Sequence, residues 1–300
     1  IDQMSTLKTG VNKGEETLAH NAFMYEKARM CIDVSTNRSA REEIDSFLRS
    51  TVSGVCLVHA QSGAGKSSFL SKLASEYQSE EVAVVTRFCG TTPLSATSKD
   101  VLLSVIEELS GGDASLQDAG TLNEVRDRLF SLLIGRGGKR TIIVIDAVDQ
   151  LKDGSSPFWL VPSQDWLFPA GVHIISSFIP EITQTKHIEN YFSRMQTEGV
   201  SSGQGLKKLV KIALPTVDSQ QDKVDILRHH LLHHEFPRRA DGINLPDHTT
   251  PLQLSLIVHH SVFHVQMKEV QLEKASVRDL VRLFFKKLEA FHGEVFTKRA

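Results

Sequence analysis

The stretch Gly54–Ala74 reads GVCLVHAQSGAGKSSFLSKLA, and the fold of the whole chain turns on it. Its first part, Val55-Cys56-Leu57-Val58, is a short apolar run with β-branched residues, which predicts a buried strand. A Gly/Ser turn follows, and Lys66-Ser67-Ser68 then opens a segment with helical apolar spacing. Strand, glycine-rich loop and helix in that order are the setting of a phosphate-binding loop. The loop spells A-x-x-x-x-G-K-S, with Ala60 where the usual pattern has its first glycine. The residues expected around a nucleotide's phosphates are Ala60, Gln61, Ser62, Gly63, Ala64, Gly65, Lys66, Ser67 and Ser68. Consecutive N–H groups of Ser62 to Ser67 would converge on one concavity at the positive end of the helix. Lys66 adds a cation for the β- and γ-phosphates, and the Ser67 hydroxyl is the expected magnesium ligand.

Upstream of the loop, residues 1–17 are polar and read as a tail or linker. A helical pattern runs from Glu15 to Cys31, with Leu18, Ala22, Tyr25 and Met30 available for one face. Ser39 is placed to cap a helix that runs to Ser50, with Glu42 as its capping-box partner. Downstream, a second strand is expected over Glu81–Cys89, then helices over about Lys99–Leu109 and Leu122–Ile134. Thr141-Ile142-Ile143-Val144-Ile145-Asp146 is a third strand with an acid at its carboxyl end, the Walker B pattern of a central parallel strand. Val172–Ser177 and Leu209–Leu214 supply the fourth and fifth strands, with a helix over about Ile182–Gln196 between them. After Asp218 the strand signals stop, and helices are expected at about 219–235, 250–266 and 276–291.

Alternating strands and helices predict a three-layer α/β domain with a mainly parallel five-stranded sheet over 51–215. Residues 18–50 are expected to be N-terminal helices leading into it, and 216–300 a small all-helical lid domain. Ligands of such sheets sit beyond the carboxyl ends of the strands, where the loop, Asp146 and Ser177 would meet.

Composition narrows the function classes. Three hundred residues, 40% of them hydrophobic, are enough for a sizeable core. A net charge of −2 supplies no global basicity for nucleic acid or a membrane surface. No apolar run approaches the roughly 20 residues of a membrane helix, and no signal peptide is visible. A chain that opens on Ile1 is expected to be a segment of something longer, with partner domains outside it. Cys31, Cys56 and Cys89 are few, odd in number and widely spaced, which predicts structural thiols in a reducing, cytoplasmic setting.

Phosphoryl transfer needs positioning and charge compensation more than covalent chemistry. Asp146 is the expected magnesium-holding carboxylate. Asp149, in Asp146-Ala147-Val148-Asp149-Gln150, either orients an attacking water or caps a helix beyond the strand. Asp149, Asp146 and Lys66 are thus the catalytic candidates. Ser177, with Ser176 as the weaker candidate, either senses the γ-phosphate or is merely structural. His229, His230, His233 and His234 form two i,i+4 pairs, a zinc-capable spacing. Without an H-E-x-x-H pattern they read instead as the polar flank of a Leu227, Leu231, Leu232 core stripe, and His259, His260 and His264 read the same way.

These motifs resemble a known branch of P-loop proteins. Leu18-Ala19-His20-Asn21-Ala22-Phe23, Arg87-Phe88-Cys89-Gly90-Thr91-Thr92-Pro93-Leu94-Ser95 and Asp146-Ala147-Val148-Asp149-Gln150 are similar to motifs of STAND-class P-loop NTPases. The likeness is to the NACHT-like module of nephrocystin-like and telomerase-associated scaffold proteins. Asp165-Trp166-Leu167-Phe168-Pro169 with Ile174–Ser177, and Thr250-Pro251-Leu252, extend the resemblance through most of the chain. It implies a switch that holds ATP or ADP with Mg2+ under the helical lid and hydrolyses ATP slowly. It further implies that Pro251 approaches the adenine or ribose, and that partners are other proteins, through outside domains or nucleotide-dependent self-association. A nucleotide-stabilised scaffold without hydrolysis is the second reading. A nucleic-acid-dependent ATPase is the third, and the charge balance argues against nucleic acid. The missing acid beside Asp146, and the missing arginine in Ser176–Pro180, make binding the stronger expectation and turnover the weaker one.

Overall fold

The computed structural model describes residues 13–112, 120–153, 157–161, 168–180, 190, 208–233, 245 and 249–263. The helices expected over about 182–196 and 276–291, together with His234 and His264, lie outside them. Two helices lead in, α1 (Lys13–Arg29) and α2 (Arg38–Arg49). The core follows as β1 (Gly54–His59), α3 (Lys66–Tyr77), β2 (Ala83–Phe88), α4 (Ser98–Ser110), α5 (Leu122–Gly135), β3 (Thr141–Asp146), β4 (Val172–Phe178) and β5 (Leu209–Ala213). Two further helices are described after the sheet, α6 (Gln220–His233) and α7 (Pro251–Phe263).

The five strands form one sheet in the order β2-β3-β4-β1-β5, and every pairing is parallel. The order explains the site. β4 lies between the strand that feeds the loop and the strand that ends in Asp146, so its own end separates the two. In register, Val55 of β1 pairs with Ile174 of β4 and with Leu209 of β5.

Alternation along each strand divides the core. Val55, Leu57, Ile143, Ile145 and Ile174 face α4 and α5, where Val101, Val105, Leu129 and Phe130 meet them. Cys56, Val58, Ile142, Val144 and Ile175 face the other way, onto Ile44 and Phe47 of α2 and Leu70 and Leu73 of α3. Both faces of the central strands are buried, which is why β1 and β3 read as nearly continuous apolar runs rather than as alternating ones, and why the polar His173, Ser176 and Ser177 of β4 are buried too. A third cluster joins Leu227 and Leu231 of α6 and Leu254 and Val258 of α7 to Val34, in the link between α1 and α2.

Three local expectations are corrected. α1 begins at Lys13, inside the stretch expected as a tail, and it buries Glu16, His20 and Met24 while Leu18 is 67% and Tyr25 50% exposed. The reason is a polar latch: the His20 ring lies 2.9 Å from Glu16 through Nε2 and accepts the Phe88 N–H at Nδ1, while Thr92 donates to the same Glu16 oxygen. Ser39 is not the cap of α2. Asn37 holds that position, and the Ser39 hydroxyl reaches Glu43 instead. On α6, Leu232 is 67% exposed and His230 is buried, so the stripe expected to include Leu232 is rotated toward His230.

Candidate nucleotide site

The loop between β1 and α3 takes its shape from two glycines. Gly63 has φ +80° and Gly65 φ +91°, backbone that side-chain-bearing residues rarely adopt. A Cβ on Gly63 would also lie 3.2 Å from the Leu252 Cβ, so the start of α7 lies close against the loop at this glycine. Ala60 needs no such freedom: among the described residues, Ala147 alone has positive φ without being glycine. That is why an alanine serves at the loop's first position. Lys66 donates through Nζ to the Ala60 and Gln61 carbonyls at 2.6 and 3.0 Å, which turns the ammonium back over the loop. Ser62 through Ser68 all line a cavity of about 390 Å3, whereas Ala60 and Gln61 contribute their carbonyls beneath it.

Across the mouth of the sheet the Ser67 hydroxyl donates to Asp146 Oδ2 at 2.5 Å. Burial raises the Asp146 carboxyl above its ordinary range, against the hydrogen bonds from Ser177 and Ser67 and the Lys66 charge, which lower it. Ser177 is fully buried. Its hydroxyl donates to Asp146 Oδ1 and accepts the Ala147 N–H at 2.9 Å, so it positions Asp146 from the neighbouring strand. The Ser176 hydroxyl, one residue earlier, is buried with no hydrogen-bond partner among the described residues. Ala147 has φ +58° and turns the chain sharply after β3. That turn brings Asp149 to the cavity in a short 3-10 helix over Val148–Gln150, with Ala147 rather than Asp149 at its cap. Asp149 Oδ1 accepts the Ile179 N–H at 3.2 Å, and Oδ2 accepts the Gln150 amide at 2.8 Å.

The rest of the cavity comes from parts of the chain for which sequence reasoning supplied one residue. Pro251, the expected lid contact, is at the rim, and the Leu252 N–H donates to the Gly63 carbonyl at 3.3 Å. The opposite wall is the link after α1, with Met30, Ile32, Val34 and Asn37, backed by Ile226 of α6. No motif marks those residues. The one available signal was the polar triplet Ser35-Thr36-Asn37 ahead of a helix. Its Ser35 and Thr36 N–H groups donate to Asp222 of α6 at 3.2 and 2.9 Å, and both hydroxyls bond the same carboxylate. His230 and His233 also line the cavity, while His229 reaches the Arg29 carbonyl at 2.7 Å.

Other sequence candidates sit elsewhere. The three cysteines are free, and burial raises all their thiols, that of Cys31 to about 11, so none is poised as a nucleophile. Arg87 is a structural cation. Fully buried on β2, it donates to the Ser104 hydroxyl and carbonyl and pairs with Glu108 at 2.7 Å, tying the sheet to α4. Among the described residues no helix is long and apolar enough to cross a membrane.

The parallel five-stranded sheet with this loop defines the class: the fold is that of a P-loop NTPase. Residues 49–184 match the family model described as AAA domain. The sequence motifs resemble a NACHT-like module, so the match agrees on the P-loop class and differs on the branch. No curated protein matches the chain. Among solved structures the chain is similar to the Aeropyrum pernix Orc1 protein in complex with DNA, at 13% identity and TM-score 0.47, over 84% of this chain and 64% of that one. It is also similar to AMPPCP-bound DnaA from Aquifex aeolicus, at 14% identity and TM-score 0.38, over 90% of this chain and 67% of that one. A further likeness is to domain III of the Thermotoga maritima replication initiation protein DnaA, at 14% identity and TM-score 0.40, over 89% and 97%. The chain spans less than two thirds of the Orc1 chain.

Proposed function

We propose that the chain is an ATP-operated switch of the NACHT-like kind, which grips a nucleoside triphosphate with Mg2+ and hydrolyses it slowly. The observation that carries this reading is the lid: Leu252 donates to the Gly63 carbonyl, so α7 begins on the phosphate loop itself. A ligand in that loop changes the contacts of α7 directly, which is what a nucleotide-set lid angle requires.

The residues present suit magnesium. The Ser67 hydroxyl and the Asp146 carboxylate are hard oxygen donors in contact with each other, and a buried carboxyl held above its ordinary range gains from a cation. Bound there, magnesium would offset charge on the phosphates. Lys66 would neutralise the β- and γ-phosphates, and the N–H groups of Ser62 to Ser67 would cradle them. Asp149 is the acid nearest to the task of orienting a water. Both its oxygens already accept hydrogen bonds, so a water must compete with the Ile179 N–H and the Gln150 amide for them, which keeps turnover slow.

The test is ATP binding and multiple-turnover hydrolysis by the wild type and by Asp149→Asn, with and without duplex DNA. The switch reading expects bound ATP, turnover well below about 1 per second, and a large fall in turnover for Asp149→Asn with affinity kept. Binding with no turnover at all would favour the nucleotide-stabilised scaffold. Fast turnover that depends on DNA would replace the switch with a nucleic-acid-dependent ATPase, whose local basic contacts a net charge of −2 does not reveal.

A further inference from the structure

We infer that Asp222 of α6 is a positioning residue for nucleotide retention: by pinning Ser35 and Thr36 it fixes the apolar wall of the cavity and slows nucleotide release. The inference rests on the nucleotide reading above and adds to it the group that governs exchange.

The wall is the short link after α1, where Met30, Ile32 and Val34 line the cavity with an apolar surface suited to a flat ring. This link is pinned to α6 at both of its ends. At one end the His229 ring meets the Arg29 carbonyl through Nε2 at 2.7 Å. At the other, the Ser35 and Thr36 N–H groups donate to the two Asp222 oxygens at 3.2 and 2.9 Å, and both hydroxyls bond the same carboxylate. The second pin is the stronger one. Asp222 is 5% exposed and accepts from four donor groups, whereas the His229 contact lies at the surface. The spacing of α6 joins the pin to the ligand space. Asp222, Ile226, His230 and His233 recur every three or four residues and share one face of the helix, and the last three line the cavity. Val34, next to Ser35, packs in one cluster with Ile226.

The Asp222 carboxylate is not spent on its own helix. The Ser219 hydroxyl accepts the Asp222 N–H at 3.3 Å at the start of α6, which leaves the carboxylate to the link. There it caps a second helical run from a distant part of the chain. A 3-10 turn over Ser35–Asn37 leads straight into α2, and Val34 at its cap position supplies no side-chain bond. The first N–H groups of such a run lack partners within it and carry the positive end of its dipole, so a carboxylate suits them in both respects. Burial works to raise the Asp222 carboxyl, but the hydrogen bonds from Thr36 and Ser35 outweigh it and hold the group below its ordinary range, so the pin is ionised at neutral pH. A base held against the wall leaves more readily when the wall can swing away from α6. That movement strips two N–H groups and two hydroxyls from a buried carboxylate, and the pin opposes it.

The experiment follows release of ribose-labelled fluorescent ADP from its Mg2+ complex, chased with ATP, for the wild type, Asp222→Asn, Thr36→Val and the double variant. Equilibrium affinity for inorganic tripolyphosphate and Tm are measured on the same proteins. In Asp222→Asn an amide N–H2 faces donors, so release accelerates by about 10-fold or more while tripolyphosphate affinity stays within about 2-fold. Thr36→Val removes one hydroxyl and keeps the N–H bond, and its release accelerates by about 3-fold; it is the milder variant that carries the test should Asp222→Asn not fold. The double variant releases ADP within about 2-fold of Asp222→Asn, because both changes break the same pin. Unchanged release in the folded variants, whatever their Tm, or an equal loss of ADP and tripolyphosphate affinity, would overturn the positioning role and leave the nucleotide reading intact. Failure of the wild type to bind either ligand would overturn both.

Discussion

Ser176 and Ser177 are neighbours on β4, both fully buried, and the structure assigns them opposite energetic roles. Replacing Ser177 with alanine removes the hydroxyl that donates to Asp146 Oδ1 and accepts the Ala147 N–H. A hydrogen bond to a charged group is worth about 1.5–3 kcal/mol, and a buried N–H left unsatisfied costs about 1–3 kcal/mol. Partial relaxation keeps the total near 3 kcal/mol, or a fall in Tm of about 6–10 °C for a chain of this size. Replacing Ser176 removes an oxygen that has no partner, so stability changes by no more than about 1 kcal/mol, in either direction. The Asp146 carboxyl adds a pH signature. The Ser177 bond lowers a carboxyl that burial raises, so without it the charged form is penalised further. The gap in Tm between wild type and Ser177→Ala therefore narrows as the pH falls and Asp146 takes up its proton. In nucleotide-binding assays the same variant needs about 10-fold more Mg2+ while its tripolyphosphate affinity without metal is kept, the mark of a positioning residue. Thermal melts of both variants from pH 5 to 8, with Mg2+ titrations at pH 7.5, read all of these outcomes. Equal destabilisation by the two substitutions, or a larger gap at acidic pH, would refute the role given to Ser177.

Further outcomes follow from other sites. Ala147 holds φ +58° with a Cβ, which costs about 1 kcal/mol, so Ala147→Gly raises Tm by about 2–3 °C unless the lost stiffness of the unfolded chain cancels it; a fall in Tm would show that the methyl group packs usefully. His20 is buried with its pKa lowered to about 4, by burial first and the Arg87 charge second, against Glu16. The folded value lies below the ordinary 6.5, so the unfolded chain takes up the proton first. The stability involved is fully present above pH 6.5 and drains as the pH falls towards 4, amounting to at most ~3 kcal/mol. His20→Gln flattens that dependence in urea unfolding at pH 4.5 and 7.5, and an unchanged slope would remove His20 from the latch.

The sheet was legible because its central strands are buried on both faces. Val55–Val58 and Ile142–Ile145 are apolar runs too short for helices, and Val172–Ile175 is broken only by His173, so β1, β3 and β4 stand out in the sequence. The loop was legible because its glycines and Lys66-Ser67 answer to one chemistry. The face of α1 was not. Periodicity counts apolar residues, and Glu16 and His20 enter the core as a hydrogen-bonded pair, which no hydrophobic pattern marks. The position of Ser177 at the end of a strand was legible, but which way its hydroxyl points depends on β4 lying beside β3, a fact of strand order rather than of spacing. The wall formed by Met30, Val34 and Asn37 was missed for a similar reason. It comes from an irregular link whose Ser35 and Thr36 N–H groups are held by Asp222 of α6, a contact distant in sequence.

The most direct measurement for the nucleotide grip is isothermal titration of ATP into the purified chain with Mg2+ and with EDTA, for the wild type and for Lys66→Ala. The structure predicts one site per chain, micromolar affinity or better with Mg2+, loss of at least about 10-fold in EDTA, and no measurable binding for Lys66→Ala. ATP affinity that is the same in Lys66→Ala as in the wild type, or no binding by the wild type with Mg2+, would contradict it.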